Sequence, residues 1–205
     1  NETETLTVQL ERWDNLPAKG WYSGDNHIHY IRKDKSDDAN LLIFTQAEDL
    51  HVANILQMGN IVHVHWPQYD WNPLVLTNDP TYSFVPGQED PRTSRRGHTI
   101  GLHLKEPIRD PQHYLLYHKV LEKARAQGGV TGYAHVFGEG LHNASAGLAI
   151  DVPFGLVDFV EVLQFGKGGS SVWFDFLNLG YRLAPSAGTD YMTDGTLPGA
   201  ERSYV

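Results

Sequence analysis

The chain has 205 residues, of which 40% are hydrophobic and 23 are aromatic (5 Trp, 10 Tyr, 8 Phe). This fits one ordinary globular domain and excludes a disordered chain, which lacks the apolar surface needed to offset chain entropy. Sixteen Lys and Arg against 25 Asp and Glu give a net charge of −9, so there is no basic stripe for nucleic acid. No cysteine is present, which removes disulfides, thiolate catalysis and Cys-based zinc sites, while 11 histidines make metal chemistry the first reading to test. No apolar run has the ~18 residues of a membrane span, so membrane insertion is not expected.

Residues 4–10 alternate apolar and polar and read as a strand without a partner in the chain. Residues 1–10 are accordingly expected to belong to a preceding domain, and residues 11–205 to the main one. The segment is therefore expected to be a soluble piece of a longer protein. Gly20 to Gly24 turns into a short strand at Asp25–His29. The spacing over 37–50 predicts a helix with acidic residues at its N-terminal end, followed by a buried strand at HVANILQM and an extended IVHVHW. Residues 67–97 read as a long loop rich in Pro, Asn, Asp and Arg. GHTIGLHL reads as a strand, 111–129 as a helix opened by Pro and closed by Gly-Gly, and GVTGYAHV and LVDFVEVLQ as strands. SVWFDFLNLG is a short helix, and RLAPSAGTD enters a loop. Alternating strands and helices predict an α/β domain with a mainly parallel sheet.

Within this order, His27 and His29 occupy i and i+2 of a strand and so share a face, as two ligands of one ion would. Glu89, His98, His135 and Asp190 are each placed at a strand–loop junction, where side chains of an α/β barrel converge on one mouth. Four His, one Glu and one Asp suffice for two divalent ions sharing a carboxylate, and such donors suit Zn, Mn and Fe alike. Arg95 and Arg96, between Glu89 and His98, are candidates to clamp an anionic or carbonyl group of a small-molecule substrate. His63 and His65 are candidates for substrate contact or a further metal site.

GWYSGDNHIH, VPGQED followed by GHTIGLHL, GGVTGYAHV, LVDFVEVLQ and GYRLAPSAGTD resemble, in order, the landmarks of PHP-superfamily metallohydrolases, most closely the CehA/McbA (carbaryl-hydrolase-like) branch. The resemblance runs over residues 11–205 and implies a distorted (β/α)7 TIM-like barrel of the PHP type with metals at its mouth. It implies a first metal site of His27, His29, Glu89 and Asp190 and a second of Glu89, His98 and His135, with Glu89 and Asp190 catalytic. Glu161 matches an acidic position of the branch, expected to support a ligand or to contact substrate. Gly59 and Met192 stand where the family has the histidines of a third site, so a binuclear centre is expected. The implied activity is hydrolysis of an ester, carbamate, amide or phosphodiester, with phosphate monoesters poor. The alternative is a non-catalytic metal- or ligand-binding module on the same barrel.

Overall fold

The protein is seen here as a computed structural model that describes residues 3–75, 79–136, 145–191 and 196–205. Its strands are β1 (Ser23–Ile28), β2 (Val52–Gly59), β3 (Val64–His65), β4 (Leu74–Val75), β5 (Ser83–Thr93), β6 (Gly97–Leu102), β7 (Val130–Tyr133), β8 (Phe159–Gln164), β9 (Lys167–Gly168), β10 (Ala184–Ala187) and β11 (Ser203–Tyr204). All join one sheet in the order β10-β8-β7-β6-β5-β2-β1-β11, with β3, β4 and β9 as antiparallel flaps on β2, β5 and β8. The sheet curls: Ile28, at the end of β1, bridges Tyr191 beyond β10, and Asn26 and Ser186 are hydrogen-bonded across that seam at 3.0 Å.

Four helices, α1 (Lys35–Ala47), α2 (Tyr117–Ala126), α3 (Leu148–Asp151) and α4 (Ser171–Asn178), are found among the described residues. The start of α1 is set by Asp34, whose side chain accepts from Ser36 N while Asp37 reaches back to the cap, a capping box. Its Leu41 packs with Ile28, Leu50, Ala53, Ile55 and Phe84, which fixes β1 against β2 and β5. On α2, Val120 and Ala124 meet Leu104 and Ile108. Val172 and Phe176 of α4 join Tyr133, Val160 and Leu183. These packed layers hold the strands that carry the polar cluster described below.

The expected (β/α)7 TIM-like barrel is not what forms. β5, β6 and β7 run antiparallel, and β5 turns directly into β6 through residues 94–96, leaving no room for a helical crossover. The result is a mixed, curled half-barrel rather than a mainly parallel sheet. The long loop expected at 67–97 is likewise replaced in large part by β5, an eleven-residue, mostly buried strand. Pro86, Gly87 and Pro91 hide it, because proline and glycine ordinarily argue against a central strand. The helix expected over 111–129 divides into a 3-10 turn at Pro111–His113 and α2. Residues 3–12 make no strand pairing among the described residues, and Leu6, Val8 and Leu10 are exposed. No helix among the described residues is long and apolar enough to cross a membrane.

Candidate metal centre

Six side chains from across the curl converge. His27 lies in β1 and His29 follows its end; Glu89 is in β5 and His98 in β6; His135 and Asp190 follow β7 and β10. Glu89 and His98 thus sit within strands rather than at strand–loop junctions, brought together by the antiparallel β5–β6 pairing that aligns Arg92 with His98. His27, His29, Glu89, His98, Asp25 and Glu161 derive from strands or their immediate ends, which makes the cluster rigid.

The protons on the first two imidazoles follow from their outer partners. His29 Nδ1 is 2.9 Å from the Leu56 carbonyl, which only accepts, so Nδ1 carries the hydrogen. His27 Nδ1 faces both Glu161 oxygens at 3.0 and 3.1 Å. Glu161 in turn accepts from the His135 backbone N–H at 2.8 Å and from Gln164 Nε2 at 3.2 Å. In the amide orientation its neighbours require, Asn26 also donates to Glu161 Oε1 at 3.1 Å. Carboxylate and carbonyl partners on Nδ1 are the usual way of orienting a metal-ligating imidazole. Gly188 permits this approach, since a Cβ there would lie 2.6 Å from His27 Cβ and 2.7 Å from Glu161 Oε1.

The consequence is that two Nε2 lone pairs face each other at 3.1 Å. Around them lie Asp190 Oδ1, 3.1 Å from His29 Nε2 and 3.6 Å from His27 Nε2, and Glu89 Oε2, at 3.4 and 3.8 Å from the same atoms. The other Glu89 oxygen, Oε1, faces His98 Nδ1 at 2.6 Å and His135 Nε2 at 3.7 Å. Both Glu89 oxygens and His98 Nδ1 are buried without a partner in hydrogen-bond geometry. Buried polar atoms are rarely left so, and converging electron-rich atoms call for a cation. The donor set therefore fits divalent metal. The described residues contain two groups able to hold an ion, His27–His29–Glu89 and Glu89–His98–His135, each with ligand atoms within 4.8 Å of one another.

Without a metal ion the cluster would bind protons instead. Burial opposes charge on His27, yet the carboxylates of Glu161 and Asp190 raise it well above the usual imidazole range. Burial likewise works against ionised Glu89, but the surrounding imidazoles of His135, His27, His29 and His98 hold it well below the usual carboxylate range. His98 is lowered by burial despite Glu89. Backbone strain is concentrated here as well: His135, Asp190 and the neighbouring Trp66 have φ of 39°, 52° and 56°, in the left-handed region that costs non-glycine residues about 1–3 kcal/mol each.

Glu161 touches His27 and the His135 backbone, so the structure shows a supporting contact for it. His63 and His65 lie exposed in the β2–β3 hairpin with rings 6.2 Å apart, outside both ligand groups. Arg95 is exposed in the 94–96 turn, and the Arg96 guanidinium lies 4.9 Å over the Tyr117 ring. Arg92 instead reaches the cluster, its Nε 3.6 Å from Glu89 Oε2. Asp25 was also not singled out from the sequence, although it shares the i, i+2 alternation with His27 and His29. It is buried and accepts from His27 N (2.9 Å), Thr189 N (3.1 Å), Thr189 Oγ1 (2.6 Å) and Gly199 N (2.9 Å), tying β1 to the Asp190 loop. Burial pushes its carboxyl up to about 6 against these hydrogen bonds.

Gly59 is filled in an unexpected way. A Cβ there would lie 2.7 Å from Arg109 Nη1 and 2.8 Å from Asp90 Oδ2. Those two groups form an ion pair at 3.2 Å, and Asp90 also accepts from Tyr114 at 2.6 Å. Arg109 further donates to the carbonyl of Asn60 at 2.8 Å. Met192 lies outside the described residues.

No family model matches the chain, and no curated protein matches it. Among solved structures it is similar to a two-domain protein from Bacteroides vulgatus ATCC 8482 containing a predicted PHP-like metal-dependent phosphoesterase. That similarity has 12% identity and a TM-score of 0.48 and covers 95% of this chain and 59% of the other, so this chain spans about three fifths of that protein's length.

Proposed function

We propose that the chain is a metal-dependent hydrolase whose two divalent ions share Glu89. The observation that carries this is the division of one buried carboxylate: Oε2 faces His27 and His29, and Oε1 faces His98 and His135. His27, His29, Glu89 and Asp190 would hold the first ion, and Glu89, His98 and His135 the second. Ions in such a site lower the pKa of water and polarise a carbonyl or phosphoryl oxygen. The chain's own contribution is to keep the imidazoles in one tautomer through Glu161 and Leu56, to fix Glu89 between the two groups, and to exclude bulk water from the buried side of the site. The PHP-type reading of the motifs agrees with this assignment.

The bond cleaved is proposed to be an ester, carbamate, amide or phosphodiester. A phosphate monoester carries nearly two charges at neutral pH, and the Gly59 position supplies no third metal ligand to balance them. The test is kcat/KM for a nitrophenyl carboxylate ester, a carbamate, a phosphodiester and a phosphomonoester at matched metal loading. Turnover of at least one of the first three, with the monoester poorest, is expected. Two bound ions with no turnover of any of the four would leave a metal-binding module without hydrolase activity.

A further inference from the structure

Beside the cluster runs a groove of about 530 Å³, lined by Ile31, Met58, Val64, His65, Trp66, Pro67 and Arg92. One wall is shared with the metal centre, because the Trp66 indole stacks on His29 with centroids 6.2 Å apart and planes inclined by 26°. Trp66 is held in place from behind. Its carbonyl accepts from Gln68 Nε2 at 3.0 Å, and the buried Gln68 is itself tied to Tyr30 O at 2.8 Å and Arg32 at 3.3 Å.

At the other end is the one Lys or Arg side chain that lines the groove among the described residues. Arg92 is about three quarters buried; its Nη1 rests on the Met58 thioether at 2.7 Å, and its Nε is buried without a hydrogen-bond partner, 3.6 Å from Glu89 Oε2. A thioether is a weak acceptor, so a guanidinium built to bind oxyanions in a fork is left underused where apolar surface meets the donor cluster.

Resting on the hydrolase reading above, we propose that this groove selects the substrate: a singly charged oxyanion bearing an apolar arm. Arg92 pairs with the charge, while Met58, Val64 and Trp66 cover the arm. One guanidinium balances one charge. The described lining offers no second Lys or Arg for a further charge.

The test uses 3-phenylpropionate, propionate and 3-phenylpropan-1-ol, which separate charge from ring, titrated by ligand-observed NMR into metal-loaded and metal-stripped protein. 3-Phenylpropionate is expected to bind at least about tenfold more tightly than either partial probe. Arg92→Gln should weaken it about tenfold and leave the alcohol unchanged; Trp66→Ala should weaken both ring-bearing probes and leave propionate unchanged. Methyl benzylphosphonate, singly charged on phosphorus, shows which oxyanion is preferred, and either preference supports the proposal. Equal affinities for the three probes, or an Arg92→Gln protein that binds 3-phenylpropionate like the wild type, would overturn it. Metal content is measured on every sample: failure to load metal counts against the hydrolase reading, whereas the groove is judged on the metal-stripped titrations alone.

Discussion

Glu89→Gln is expected to deplete both metal positions and to lower kcat/KM by at least about a hundredfold. Loss of even an outer partner of a metal ligand costs about 10–100-fold in affinity or activity, and Glu89 is in direct reach of both groups. The amide keeps the shape but replaces one anionic oxygen with a donor nitrogen, which would point an N–H at one of the two imidazole pairs. His135→Ala, by contrast, should empty chiefly the second position, because His135 Nε2 faces Glu89 Oε1 within the Glu89–His98–His135 group. Elemental analysis of both variants, with thermal unfolding to confirm that they fold, separates the two patterns. A Glu89→Gln protein with full metal and full activity would refute the sharing of this carboxylate.

Gly59→His tests the reading of the third position. If that residue had merely lost a ligand, restoring histidine would add a metal site. The geometry predicts the opposite, since the Arg109–Asp90 pair already occupies the space where the side chain would begin. Displacing Arg109 would leave Asp90 buried beside Glu89 and break the tie to the Asn60 carbonyl. Parting a fully buried pair costs about 3–5 kcal/mol, and this pair, whose Arg109 side chain is 24% exposed, should cost less than that. The variant should unfold at clearly lower urea concentration and bind no additional ion. Wild-type stability with a third equivalent of metal would show that the ion pair yields readily.

Much of the candidate metal centre could be read from local pattern. His27 and His29 announce themselves by i, i+2 spacing, and the structure brings Glu89, His98, His135 and Asp190 to them. The topology could not be read in the same way, because strand direction is decided by partners distant in sequence. Nothing in GHTIGLHL says that it pairs antiparallel with both neighbours. Pro86 and Pro91 disguised β5 as a loop, and this in turn misplaced the arginines. Once β5 is a strand, Arg92 lies opposite His98 on the pleat, where cross-strand neighbours share a face, while Arg95 and Arg96 belong to the turn and its exit. Asp25 and Gln164 were overlooked because their work is second-hand: one anchors the Asp190 loop, and the other braces Glu161.

The division of Glu89 between two pairs of imidazoles is tested most directly by the metal stoichiometry of the wild-type chain. Protein saturated with Zn or Mn, desalted and analysed for metal per chain should retain about two equivalents, both released by a chelator. No bound metal, a single equivalent that His98→Ala and His135→Ala leave in place, or three tightly held ions would contradict a binuclear centre shared through Glu89.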